Sequence, residues 1–471
     1  TGTERFANRL RPAEDAGNAR TWVNGLRAEG STDINRALLE AADMVDEERP
    51  TYLIFLTDGL PTEGVTDSER ILSNFAGAAS PDLRLFVFGV GYDVDTYLLD
   101  SLAQAHHGSS TYVLPEDRLD ELLSTFYARI STPVLTGLEL DFDGLVSYDL
   151  YPDPLPDLFA GSQVLVVGRY RDGGRVDVTL SGLVNSQPRQ YIYEDQYFSE
   201  ESPNDNVLKA IPRLWATRKI GYLLNDIRLN GANQELIDQV VRLSIRFGIV
   251  TPYTSYLVTE TAPLGAAEQD RIVEEQLNLM ATGTPAPSFG QAAVEKASAE
   301  GELADADSAS ALTGEAAETV RIVGARAFVL SAGVWTDTAF DPQAMQTVPV
   351  SFLSDDYFSL VASQPELADA FALGERVIAL SDGVAYEVVA ADTAVQPLDL
   401  PPTPPPDEST DLPSNPTPAT EPGSSTPASP LPSATPVASQ PEPSSGPCAS
   451  GLIPLLLLPL LAVLVKKRDR G

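Results

Sequence analysis

The chain has one cysteine, Cys448, and two histidines, the adjacent His106 and His107, among 471 residues. A single cysteine excludes any internal disulfide, so stability comes from packed cores and not from covalent staples. Neighbouring histidines do not share a helix face, and no Cys/His spacing of a zinc site exists. Positive charge is also scarce: 31 Lys and Arg stand against 67 Asp and Glu, a net charge of −36. A nucleic-acid binder needs cations to neutralise phosphates, so that class is excluded. Gly-x-Ser-x-Gly, His-Glu-x-x-His and the Walker loop are all missing, which leaves no recognisable catalytic constellation. Asp/Glu pairs such as Asp141 and Asp143 read as solvated surface, and no enzymatic activity is expected.

What is present begins with alternating helix and strand signals over 1–132. Leu38, Leu39, Ala42 and Val45 make a helical stripe. Tyr52 to Leu56 is an apolar run without alternation, as in a strand covered on both faces. A helix is expected around 67–79, a strand over Leu83 to Val90, and a helix capped by Asp95 and carrying Tyr97, Leu98 and Leu102. A short strand at Tyr112 and Val113 and a helix from Leu119 to Ile130 follow. Repeated βα units predict an α/β fold with a doubly wound, Rossmann-like parallel sheet.

From Pro133 the pattern changes. Leu138, Leu140 and Phe142 alternate with Glu139 and Asp141, and Asp172-Gly173-Gly174 between two apolar runs signals a hairpin. An antiparallel β region is expected, half of a sandwich. Ile220, Leu223, Leu224 and Ile227 form a helical stripe, broken at Asn230-Gly231. Asn233 then caps a second helix with Leu236, Val240, Leu243 and Phe247, an αα-hairpin. Thr251 to Val258 is expected to be extended, with its aromatics in the core.

Residues 133–260 thus form a mixed β and helical region. Residues 261–319, rich in Ala, Glu, Gly and Ser, are expected as linker apart from a helix over Val273 to Met280. Residues 320–392 form a small β-rich module with a helix near Glu366 to Leu373. Residues 393–447, dense in Pro, Ser and Thr, make an extended linker, either bare or O-glycosylated. Residues 448–471 combine the apolar run Cys448 to Val465 with Lys466-Lys467-Arg468. That pattern predicts a single-pass membrane anchor with the C-terminus cytoplasmic and the bulk of the chain outside. A cleaved bacterial sorting tail shares the same pattern and stays open.

The candidate site is carried by two motifs. Thr32 lies in Gly30-Ser31-Thr32-Asp33-Ile34, just before a helix. Asp58 lies in Leu53-Ile54-Phe55-Leu56-Thr57-Asp58-Gly59, just after a strand. Ligands of open α/β sheets bind at the carboxyl ends of strands, and a hydroxyl with a carboxylate there makes a hard-oxygen pair. With Phe88-Gly89-Val90-Gly91 downstream, these motifs resemble the second and third parts of the metal-ion-dependent adhesion site of von Willebrand factor type A (VWA) domains. The first part, Asp-x-Ser-x-Ser, occurs nowhere in the chain.

Three further stretches extend the likeness. They are Thr57-Asp58-Gly59-Leu60-Pro61-Thr62, Phe126-Tyr127-Ala128-Arg129-Ile130 and Arg246-Phe247-Gly248-Ile249-Val250-Thr251-Pro252-Tyr253-Thr254-Ser255. Over 30–260 the chain resembles bacterial relatives of the inter-alpha-trypsin inhibitor heavy chains. The resemblance implies a cell-surface adhesion or binding protein that uses a divalent cation, Mg²⁺ with Mn²⁺ or Ca²⁺ as alternatives. Thr32 and Asp58 would be ligands, and an acidic residue of a protein partner would complete the shell. A non-catalytic accessory subunit of a secreted protease or sorting system is the alternative. The opening Thr1-Gly2-Thr3-Glu4 and the absent first strand lead to the expectation of a VWA domain lacking its N-terminal part.

Overall fold

The computed structural model describes residues 4–27, 30–45, 50–199, 208–254, 264–282, 287–308, 316–391, 393, 395–398 and 464–466. The first layer contains α1 (Ala16–Gly25), α2 (Ile34–Ala42), β1 (Thr51–Thr57), α3 (Ser68–Ala78), β2 (Leu83–Val90), α4 (Thr96–Ala105), β3 (Ser110–Val113) and α5 (Leu119–Ile130). Its three strands are parallel in the order β1-β2-β3, with Thr57 level with Gly89 and Val90 level with Val113.

The alternation along β2 shows why both faces are covered. Leu83, Leu85 and Val87 join Leu38 of α2, Phe75 of α3 and Leu102 of α4 in one buried core. Phe86 and Phe88 point the other way, edge-on to Phe126 of α5, with ring centroids 4.9 and 5.1 Å apart. Asp33, Asp67 and Asp95 cap α2, α3 and α4 by accepting backbone N–H bonds. The parallel α/β layer expected from the sequence is therefore present. β1 lies at its edge, and its Leu56 is exposed.

Next come β4 (Pro133–Phe142), β5 (Val146–Tyr151), β6 (Leu158–Phe159), β7 (Val167–Arg171), β8 (Gly174–Val184) and β9 (Gln187–Phe198). The strands sort into a sheet β6-β4-β8-β9 and a second sheet holding β7 and β5. Phe142, Tyr170, Val178 and Phe198 form the small core between them. The expected hairpin at Asp172-Gly173-Gly174 is corrected. β7 pairs with β5 while β8 pairs with β4 and β9, so this turn is a corner between sheets. The true hairpin joins β8 to β9 through Asn185 and Ser186, both at positive φ, with Val184 level with Gln187. Two positive-φ residues match the right-handed strand twist. Asn at the first of them was the signal, masked by a serine where glycine is usual.

The helical layer holds α6 (Ile211–Asn230), α7 (Gln234–Phe247), α8 (Ala266–Thr282), α9 (Gln291–Ala304) and α10 (Ala316–Thr319). The expected αα-hairpin is there. Ile220, Leu224 and Ile227 of α6 pack with Ile237, Val240, Val241 and Ile245 of α7, and Asn233 caps α7.

Two expectations fail beside it. Thr251 to Thr254 is a closed turn and not extended: Thr254 N donates to Thr251 O at 3.0 Å, and Thr251 N to Thr254 Oγ1 at 3.0 Å. Its Tyr253 is in the core, as the sequence implied, while 255–258 lie outside the described residues. The stretch expected as linker carries α8, which takes in the helix expected over Val273 to Met280, and also α9, which was not expected. Ile272 and Val273 of α8 join the helical core, and Val294 and Ala297 of α9 join the α/β core.

The last module has β10 (Val320–Val323), β11 (Arg326–Ser331), β12 (Val334–Asp337), β13 (Thr347–Ser351), α11 (Asp355–Ser363), α12 (Glu366–Phe371), β14 (Val377–Ser381) and β15 (Val384–Val389). They make a six-stranded mixed sheet β10-β11-β12-β14-β15-β13, with α12 close to the predicted helix. β16 (Leu464–Lys466) pairs in parallel with β7, so the end of the expected membrane run is extended at these three residues. The rest of that run, 448–463, and the Pro-rich stretch from 399 lie outside the described residues. No helix among the described residues is long and apolar enough to cross a membrane.

Candidate functional site

Thr57 ends β1 buried, with its hydroxyl donating to Gly59 O at 3.0 Å. That bond turns the chain sharply and leaves Asp58 exposed at the carboxyl end of the strand. The loop then folds back onto the segment before α2. Thr62 N and Glu63 N donate to Thr32 O at 2.9 and 3.2 Å, and Thr32 N donates to Thr62 Oγ1 at 2.9 Å. Ser31 Oγ donates to Glu63 Oε2 at 2.8 Å.

Gly64, at φ +70, completes the lacing: a Cβ there would fall 2.6 Å from Asp33 Oδ2. Only glycine fits both the backbone and the space. The structure thus joins the loops of Thr32 and Asp58. The Thr32 hydroxyl and the Asp58 carboxylate take part in no hydrogen bond or ion pair among the described residues.

These two oxygens suit a hard cation by chemistry but not by number. Asp33 is spent on capping α2, and the described residues hold no cluster of three His, Cys, Asp or Glu able to bind a metal. Mg²⁺ favours six oxygens, several of them from water. The histidines are not alternatives. His106 is half-buried, edge-on to Phe75 at 4.8 Å, and burial first and His107 second lower its pKa.

The rim beyond β2 is fixed by a segment that sequence reasoning assigned to linker. Thr96 N and Oγ1 donate to Ser288 O at 2.8 and 2.9 Å, and Gly290 N donates to Tyr92 O at 2.9 Å. Behind α4 lies a buried ionic cluster that sequence reasoning missed. Arg228 of α6 meets Asp100 Oδ2 at 2.5 Å and Glu300 Oε2 at 2.7 Å. Asp100 Oδ1 also accepts from Tyr112 Oη at 2.7 Å and from Ser110. Burial is the largest influence on Glu300 and raises its pKa despite Arg228. Burial first, then Asp100, raises the Tyr112 phenol far above its ordinary value. Partners so distant in the chain leave no periodic signal.

Residues 11–112 match the family model of the von Willebrand factor type A domain, a span that contains both Thr32 and Asp58. Human inter-alpha-trypsin inhibitor heavy chain H4 is 30% identical over 282 residues, covering 56% of this chain and 30% of that protein. Human heavy chain H6 is 30% identical over 284 residues, covering 54% and 21%. The chain spans less than a third of the length of these curated relatives. Among solved structures, a von Willebrand factor type A protein from Catenulispora acidiphila aligns at 15% identity and TM-score 0.32. That alignment covers 64% of this chain and 76% of the other, a likeness too weak to carry any argument. The family match, set beside the parallel α/β layer, shows that this chain carries a von Willebrand factor type A domain over residues 11–112.

Proposed function

We propose that this is a non-catalytic binding protein of the cell surface, whose VWA-type domain engages a protein ligand at the carboxyl end of β1. The observation that carries the reading is the lacing of the Thr32 and Asp58 loops, which holds two unspent oxygens at a sheet edge where a ligand can reach them. A divalent cation bound there would present an open position to a partner carboxylate. With two protein donors its affinity in this chain is weak, because the remaining shell would be water. Asp-x-Ser-x-Ser residues on a further parallel strand along the open edge of β1 would supply the missing donors. The half-buried Leu53 and Phe55 and the exposed Leu56 on β1 favour such a neighbour. The apolar 448–465 run with its basic end supports membrane attachment, with the VWA-type domain displayed outside.

Calorimetry with Mg²⁺ and Mn²⁺ tests the site. This chain should bind only weakly, and the same chain preceded by a strand bearing Asp-x-Ser-x-Ser should bind with at least about tenfold higher affinity. Asp58→Ala in the longer chain should abolish that gain. Tight binding by the present chain that Asp58→Ala leaves unchanged would place the cation elsewhere.

A further inference from the structure

Three arginines gather around Tyr148, Trp215 and Phe247, and none of them meets a carboxylate among the described residues. The register sets Tyr148 opposite Arg169 and Val146 opposite Arg171, so these four side chains share one face of the β5–β7 pair. The Arg169 guanidinium carbon lies 5.3 Å from the Tyr148 ring centroid and 5.0 Å from that of Trp215. Arg171 lies 5.7 Å from Tyr148, and Lys219 Nζ lies 5.5 Å from Trp215. Arg246, in the last turn of α7, has its guanidinium carbon 5.5 Å from the ring centroid of Phe247, whose ring lies edge-on to Trp215 at 6.4 Å.

On a chain with 67 acidic and 31 basic residues, many arginines find a carboxylate. Arg84, Arg175, Arg218, Arg228, Arg242, Arg271 and Arg326 all do. Arg169, Arg171 and Arg246 make neither an ion pair nor a side-chain hydrogen bond to a protein oxygen among the described residues. Asp149 is engaged with Lys219 at 2.9 Å, and Asp337 with Arg326 at 3.3 Å. Cation–π contact with Tyr148 and Trp215 restrains the Arg169 and Arg171 side chains and lowers the entropy lost when they bind. Mutual repulsion, meanwhile, is relieved by a bound anion.

We propose that Arg169 and Arg171, floored by Tyr148 and Trp215, together with Arg246 over Phe247, form an oxyanion-binding site separate from the Thr32–Asp58 loops. Its ligand is a multivalent oxyanion, held by charge-assisted bonds from guanidinium forks. The source is either a free inorganic anion or the carboxylates of an acidic peptide. Titration calorimetry of the full chain, at constant ionic strength, uses pyrophosphate for the first and a hexaglutamate peptide for the second.

At least one probe should bind saturably at one site per chain, and the one that binds identifies the source. Affinity should fall about tenfold or more in Arg171→Gln and in Arg169→Gln, the effect of losing a charged hydrogen bond. Arg175→Gln, whose partner is Asp195, should leave affinity unchanged. Arg171 is exposed on the last residue of its strand, so its variant carries the test even if Arg169→Gln, stacked on Trp215, fails to fold. Absence of saturable binding with both probes, or undiminished affinity in Arg171→Gln, overturns the site.

Discussion

Glu300 sits in a buried cluster with two opposed influences on its charge. Desolvation raises its pKa, and the Arg228 guanidinium pulls it back without winning. The sign of the pH dependence follows. Below the unfolded-state value of about 4.3 the carboxyl is protonated in both states. As the pH rises, the unfolded chain loses its proton first, so the stability contributed by Glu300 falls until the folded carboxyl ionises too. Glu300→Gln removes that loss. The melting temperature of the variant relative to the parent should therefore shift in the variant's favour as pH rises from about 4 to about 7. A shift the other way would mean that Arg228 dominates. Removing the cation is a different matter. Arg228→Met would strand Asp100 and Glu300 in the core and should cost about 3–5 kcal/mol, read from denaturant unfolding. An unchanged midpoint would mean that water reaches the two carboxylates. The positions of Thr32 and Asp58 in the fold were legible because one stands before a helix and the other after a strand. The Asp100–Arg228–Glu300 cluster was not, because its members come from three elements far apart in the chain, and nothing local marks a residue for a distant partner.

The elements show the same division. α3, α4, β2 and the αα-hairpin were readable because caps and apolar spacing agree within each segment. α9 was missed because its inward face is small: Val294, Ala297 and Glu300 recur every three residues without the bulk that marks an amphipathic helix. Its alanines and glutamates are nonetheless strong helix formers. Small residues serve it by permitting close approach. At Gly221 of α6 a Cβ would stand 2.2 Å from the backbone N of Ala304, so the two helices meet backbone to backbone. Gly221→Ala should gain about 1 kcal/mol of helix propensity and lose more through the displaced helix. The unfolding free energy from urea titration should fall by a net of about 1–2 kcal/mol, through a lower midpoint at an unchanged slope. A raised midpoint would show that α9 yields freely. The misplaced hairpin has a related cause: Asp172-Gly173-Gly174 carries turn chemistry, but only pairing with β5 or β4 decides which sheet each strand enters.

At the scale of the molecule, α9 ties the α/β layer to the helical layer. Val294 and Ala297 lie in the core beneath β2, Glu300 holds Arg228 of α6, and the preceding residues fasten to Tyr92 and Thr96 beside the candidate site. The loops that carry Thr32 and Asp58 thus stand on a layer whose stability is shared with α6 and α7. The α/β layer and the helices α6, α7 and α9 should then unfold as one cooperative body, although a βα layer of this kind is often a domain by itself. Val294→Ala tests this. Removing two buried methyl groups should cost about 2 kcal/mol. If the layers are coupled, amide hydrogen exchange should quicken by about thirtyfold both in Leu83–Val90 and in Ile237–Ile245, since both open only with the whole. Faster exchange confined to Leu83–Val90, with the α7 amides unchanged, would show that the α/β layer opens alone and that α9 merely leans against it.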